Sequence, residues 1–328
     1  MPYGGAIALL MELTIDDLFA SPDHYLHSFD GNAALFVPMN RDAYHRSIFL
    51  DRRIQPASDQ QMRLPIAALA GYIPQPAATG WIFHIAHCGS TLLARALDRP
   101  LQNLVLREPL ALRQSALHAD PARLALTAAM VSKRYAVDRP TIVKANVPVN
   151  FRLPDLAAAD RQARAIFLHL GLRDYLLAIL RDDQHRQWLR NVTGQLALFL
   201  GDLTALTDAE RAAALWLAQM RAFAGAIAQM PNARSLDAEH FFTEPANRLK
   251  RAADQLQVPM SQAEAEAIAA GSLFSTYSKN PQLAFDNAAR VVRRRELELS
   301  LEPEIGQAQR WLDEQREDAA AAVIAAAL

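Results

Sequence analysis

Apolar residues along this chain gather into short unbroken runs, and between the runs they recur every three or four positions. That rhythm predicts buried parallel strands alternating with helices. The runs are Trp81, Ile82, Phe83, Ile85 and Ala86, then residues 104–106, 141–143 and 165–168, and the mixed segment 233–237 reads as a fifth strand. Helical spacing follows in Leu92, Leu93, Ala96 and Leu97, in Leu176, Leu177, Ile179 and Leu180, and in Leu249, Ala252, Ala253 and Leu256. Such an alternation predicts an α/β three-layer fold, with a mostly parallel sheet and helices on both faces.

The remaining segments read differently. Residues 182–230 are mostly helical, with a capping box at Thr207 and Glu210 ahead of the apolar face of Ala214, Leu215, Leu217, Ala218, Met220 and Phe223. Ser261 and Glu264 form a second box. Before residue 73 the pattern predicts a small α+β appendage. Thr14 caps a helix through Phe19, and residues 34–37 and 48–50 read as strands flanking a polar turn at Asn40, Arg41 and Asp42. Residues 73–80, with two prolines and a glycine, read as a linker. The expected division is therefore 1–78 for the appendage and 79–328 for the main domain, with a helical insertion at 182–230. The alanine-rich 319–328 tract is too short to span a bilayer and reads as a docked helix.

Composition narrows the partners. With 34 Lys and Arg against 35 Asp and Glu, the chain lacks the basic excess that nucleic-acid binding needs. Its 328 residues, 51% hydrophobic, suffice for a large core. A single cysteine, Cys88, rules out an intramolecular disulfide framework, and a cytoplasmic setting is the expectation. The apolar run at 6–11 is short and lacks a basic flank, so it is not read as a signal peptide. No membrane association is expected.

Between the first strand and its helix lie His87, Cys88, Gly89, Ser90 and Thr91. A helix start leaves backbone N–H groups unpaired at the positive end of its dipole, so a strand-glycine-helix turn of this kind offers an anion site. A plain turn capped by Ser90 or Thr91 is the structural alternative. The nucleotide-triphosphatase loop GxxxxGK[ST] is absent, since no lysine separates Gly89 from Ser90 and His84 holds the place of the first glycine. That disfavours magnesium-dependent phosphoryl transfer.

The loop resembles the 5′-phosphosulfate loop of PAPS-dependent sulfotransferases, Pro-Lys/Arg-Ser-Gly-Thr-Thr. Here it reads Ala86-His87-Cys88-Gly89-Ser90-Thr91, keeping the glycine and two hydroxyls and placing His87 at the basic position. The resemblance continues in order. Arg107-Glu108-Pro109 ends the second strand, where that family often places Glu-Pro, and Lys144 ends the third. Arg173-Asp174 follows the fourth, where the family has Arg-Asp-Pro-Arg-Asp and a later serine that grip the 3′-phosphate; on that match the first arginine becomes Leu170 and the serine Ala178. A late basic segment carries Lys279, Arg290, Arg293, Arg294 and Arg295.

The resemblance implies a P-loop-type fold and transfer of a sulfuryl group from PAPS to a hydroxyl or amine of a small-molecule or carbohydrate acceptor. It implies donor contacts from His87, Cys88, Gly89, Ser90, Thr91, Arg173 and Lys279. Glu108 becomes the general base, provided that partial burial raises its pKa, His87 helps to neutralise the leaving phosphate, and Lys144 borders the pocket. No metal is required. Two other readings stay open: an ATP-dependent kinase-like enzyme and a non-catalytic nucleotide-binding protein. A metal site at His84, His87 and Cys88, and a nucleophilic Cys88, are the remaining chemistries those residue types allow.

Overall fold

In the computed structural model, which describes residues 13–118, 120–316 and 318–328, the N-terminal part is a three-stranded antiparallel sheet with short helices. The helix Ile15–Ala20 starts at a capping box of Thr14 and Asp17. The strands are His24–Asp30 (β1), Ala33–Pro38 (β2) and Met62–Pro65 (β3). Only β2 was visible in the pattern. In β1 a register shift between Leu26 and Ser28 breaks the alternation on which strand reading relies. Residues 48–50 are not a strand. They form a buried loop whose Leu50 N–H donates to the Arg107 carbonyl at 2.7 Å, while the Leu110 N–H donates back to Leu50 at 3.1 Å. The apolar run at 6–11 lies outside the described residues.

The main sheet comprises Thr79–His84 (β4), Leu104–Arg107 (β5), Thr141–Lys144 (β6), Arg164–His169 (β7) and Ala233–Asp237 (β8). Its five strands are parallel throughout, in the order β5-β6-β4-β7-β8. Thr79 and Gly80, read from sequence as linker, belong to the central strand. Gly80 packs closely there, since a Cβ would lie 3.3 Å from Leu256 and 3.4 Å from Ile142. That contact seats the helix Pro245–Gln255 on one face. On the other face Phe83 stacks on Trp81 and Phe167, each at 5.5 Å, and Phe167 meets Phe223 at 4.8 Å. Phe223 comes from the 22-residue helix Asp208–Gln229, which begins at the Thr207–Glu210 box. The fold is thus a three-layer α/β arrangement, a parallel sheet with helices on both faces.

The segment read as an insertion supplies the scaffold of one layer. The helix Asp208–Gln229 packs against Leu172–Ile179, Asp183–Gln195, Glu302–Glu314 and Ala319–Ala325. Past the last helix, the chain pairs with the outer edge of β8: the Ser235 N–H donates to Ala326 and the Leu328 N–H to Ser235, each at 2.9 Å. That pairing covers an otherwise open sheet edge. No helix among the described residues is long and apolar enough to cross a membrane.

The topology fixes where chemistry can occur. From β4 the chain builds β5 and β6 on one side and β7 and β8 on the other, so a crevice opens at the carboxyl ends of the strands beside β4. A hairpin of Thr276–Tyr277 (β9) and Asn280–Ala284 (β10), followed by the helix Asn287–Ser300, borders that crevice.

Candidate active site

A cavity of about 1140 Å³ opens at the carboxyl ends of the parallel strands, and the loop after β4 lines it. Gly89 holds the loop's turn at φ +80°, and a Cβ there would lie 2.7 Å from Cζ of Phe242. Glycine is dictated twice, by the left-handed backbone and by the aromatic ring above it. Gly89 is also the N-cap of the helix Ser90–Ala96, which has no side-chain cap, so neither hydroxyl performs the plain capping role. Ser90 and Thr91 are buried, and the Thr91 hydroxyl oxygen has no hydrogen-bond partner among the described residues.

The two residues before Gly89 diverge. The Cys88 thiol points into the protein and donates to the Ile85 carbonyl at 2.8 Å. Burial pushes its pKa up to about 12, so it is neither a nucleophile nor a metal-binding thiolate. His87 adopts φ +61° and lays its ring against His185 at 4.5 Å and edge-on to Trp188 at 5.2 Å. Desolvation, reinforced by Lys279, His185 and Arg181, holds its pKa well below the usual histidine value. His87 is therefore neutral at pH 7 and supplies no positive charge to a leaving phosphate, contrary to the expectation from its place in the loop. Its Nε2 is buried without a partner.

Glu108 stands immediately past β5 at φ +56°. Its N–H donates to the Lys144 carbonyl at 2.8 Å, which extends the β5-β6 ladder and turns its side chain towards the cavity. There the carboxylate accepts from Lys144 Nζ and from Asn146 Nδ2 at 3.4 Å. Burial by itself raises the pKa of such a group. Attraction to Lys144, the hydrogen bond from Lys144, and Lys279 together outweigh burial and leave Glu108 at about 2. The base strength expected from a raised pKa is thus absent while Lys144 sits on the carboxylate. Neither Arg107 nor Arg113 is its partner. Arg107 turns inward to Asp98 at 2.6 Å and to the carbonyls of Tyr44, His45 and Ser47.

His84 completes this corner. Its Nδ1 lies 2.8 Å from the Ile85 carbonyl, which can only accept, so Nδ1 carries the proton and Nε2 presents a lone pair. Desolvation, with Lys144 nearby, lowers its pKa to about 3. Nε2 has no partner and lies 4.0 Å from Glu108 Oε1, so two acceptors face each other with no donor between them. His84, His87 and Cys88 thus point in three different directions and share no coordination centre.

The cations sort into committed and available. Arg290 binds Glu239 through two bonds, at 2.8 and 2.9 Å, and Arg294 binds Asp174 and, at 2.6 Å, Glu239. Arg181 lies against His185 at 2.5 Å and Asp182 at 3.5 Å. Arg173 does not line the cavity; it is half exposed and reaches Glu298 at 3.4 Å and Glu302 at 3.9 Å. Lys279, on the hairpin turn held by the bond from Arg95 to the Ser278 carbonyl at 2.9 Å, has no bonded partner among the described residues. The residue as a whole is exposed, while desolvation by the surrounding protein lowers its pKa, opposed by Glu108. Arg293 is likewise without a carboxylate partner among the described residues. Leu170 and Ala178, at the family's arginine and serine positions, line the cavity without offering a polar side chain. Sequence reasoning assigned no role here to Trp188 or Phe242, because each comes from a helix remote in sequence whose spacing signals only packing.

No family model matches this sequence, and no curated protein matches it. Among solved structures, the chain is similar to a sulfotransferase domain from the curacin biosynthetic pathway, with 13% identity over 65% of this chain and 84% of that one, at a TM-score of 0.39. It is also similar to a sulfotransferase from Alicyclobacillus acidocaldarius, with 12% identity over 75% of this chain and 98% of that one, at a TM-score of 0.39. At that overlap, chemistry has to be read from the site itself.

Proposed function

We propose that this chain is a sulfotransferase that uses PAPS to sulfate a hydroxyl or amine. The observation that carries the reading is the meeting, in one cavity, of the Gly89 loop with its unpartnered Thr91 hydroxyl, the uncommitted Lys279 and the ionised Glu108. These residues fit an anionic donor. Thr91, Ser90 and the loop backbone offer hydrogen bonds, Lys279 takes the cationic role that neutral His87 does not fill, and Arg293, on the helix beyond the hairpin, takes the 3′-phosphate. PAPS supplies an activated sulfuryl group.

The rest of the chemistry falls to the protein. Glu108 accepts the proton from the acceptor O–H or N–H as the new bond to sulfur forms. The sulfur-oxygen bond to the phosphate breaks, and its electron pair leaves with PAP. Lys144 tempers this base: it is fully buried, does not line the cavity, and holds the Glu108 carboxylate at about 2. Fixed donors aimed at developing charge supply the remainder of the catalysis.

Calorimetric titration with PAP, against ATP with and without Mg²⁺, tests this reading. Micromolar PAP binding that fails in Ser90→Ala, with weak ATP binding, is expected. Mg²⁺-dependent ATP binding without PAP binding overturns it in favour of a kinase-like enzyme, and binding of neither favours a non-catalytic protein.

A further inference from the structure

The cavity has a wall that the donor reading leaves unused. Trp188, Val192 and Gln195 stand at i, i+4 and i+7 of the helix Asp183–Gln195, so they form one stripe along it. Trp188 and Val192 line the cavity, and Trp188 meets the donor loop through its edge contact with His87. At the far end Gln195 Oε1 accepts from Arg113 Nη2 at 2.7 Å. Arg113 also lines the cavity and has no carboxylate partner among the described residues, unlike Arg181, Arg290 and Arg294. A neutral amide holds its guanidinium in place without cancelling the charge. The stripe is about 10 Å long at 1.5 Å of rise per residue.

We propose that the acceptor is an amphipathic anion, a hydroxylated compound whose flat apolar body lies along Trp188 and Val192 and whose carboxylate binds Arg113. The inference rests on the sulfotransferase reading and names the class of molecule that enters that same site. The logic is chemical. A partly desolvated guanidinium with free donor positions favours a planar anion, to which it can donate two parallel hydrogen bonds. An apolar stripe ending in such a cation favours a ligand with the same sequence of properties. Arg113 acts here as a specificity-determining residue and takes no part in proton transfer.

The test uses 3-(4-hydroxyphenyl)propanoate and its uncharged amide, titrated calorimetrically into the whole protein, saturated with PAP and also without nucleotide. The carboxylate binds roughly tenfold or more tightly than the amide, as expected for a charge-assisted contact. In Arg113→Gln that preference disappears while PAP affinity and the melting temperature stay as in the wild type. Trp188→Leu weakens both compounds alike. Equal binding of the two compounds, binding of neither, or a preference that survives Arg113→Gln overturns the proposal. A fall in PAP affinity in Arg113→Gln also overturns it, by assigning the arginine to the donor. If PAP itself does not bind the wild type, the donor reading fails separately, and the same comparison without nucleotide still decides the acceptor class.

Discussion

Lys144 has no exposed surface, and its ammonium donates to the carboxylate of Glu108, which keeps 18% of its side chain open to the cavity. The pair is also joined through the backbone, by the Glu108 N–H and the Lys144 carbonyl. Because the folded pKa of Glu108 lies near 2, below the ordinary 4.5, its stabilising contribution is complete above about pH 4.5. It is lost as pH falls through 2. That contribution is about 3 kcal/mol. Wild-type protein therefore loses stability between roughly pH 5 and 2 more steeply than Glu108→Gln, measured by urea midpoints. Lys144→Met is destabilising by about 3 kcal/mol at pH 7, since it leaves a buried carboxylate unpaired. Much of that loss returns in the double variant Lys144→Met with Glu108→Gln. Equal acid sensitivity of wild type and Glu108→Gln would refute the account.

Gly89→Ala pays twice, in backbone strain at φ +80° and in collision with the Phe242 ring. The backbone part is about 1–2 kcal/mol. Adding Phe242→Leu relieves the collision and leaves the strain, so the double variant is more stable than Gly89→Ala alone. A double variant no more stable than the single would show that the ring yields freely and that strain is the whole effect.

Arg107 ties the N-terminal sheet region to β5 through Asp98 and three carbonyls at residues 44, 45 and 47, and it is only 1% exposed. Arg107→Met leaves those acceptors buried and unsatisfied, at a cost of about 3–5 kcal/mol. His45 shares Asp98, at 3.0 Å, and that hydrogen bond raises its pKa above 6.5. Its contribution is full below pH 6.5 and fades as pH rises through the folded value. Denaturation midpoints compared across roughly pH 6 to 8 show a larger decline with rising pH in the wild type than in His45→Gln. Parallel profiles would exclude the Asp98 contact as the source.

Cys88 offers a simple chemical check. With its thiol buried on the Ile85 carbonyl and its pKa near 12, it resists alkylation by iodoacetamide in the folded protein and reacts on unfolding. Rapid native alkylation would mean that the loop opens far enough to expose the sulfur.

The parallel strands were legible because burial on both faces writes them as unbroken apolar runs, as at Trp81 to Phe83 and 165–168. The β1 strand was not, because its bulge destroys the alternation. The site follows the same division. Gly89, Glu108 and Lys144 sit at strand ends, where sequence order predicts a crevice. The state of Glu108 was not legible, because its pKa is set by Lys144, 36 residues away and brought alongside by the β5-β6 ladder. His87 looked like a cation by position and is neutral because Trp188 and His185 desolvate it from a different helix. Arg173 looked like a phosphate ligand by motif, but the helix Asn287–Ser300 draws it away through Glu298.

Lys279 joins the electrostatics of the site to its proposed use. Desolvation lowers its pKa in the free protein, and a bound polyanion restores the charged form, so binding takes up protons at alkaline pH. PAP affinity therefore falls as pH rises from roughly 7.5 to 10, a range in which phosphate monoesters are already fully ionised. Titrations in buffers of different ionisation enthalpy reveal the uptake directly. Lys279→Met binds PAP roughly tenfold more weakly, with a shallower salt dependence and without the proton uptake. The same affinity and pH profile in Lys279→Met and wild type would remove Lys279 from the donor site and leave Arg293 as the available cation of that late segment.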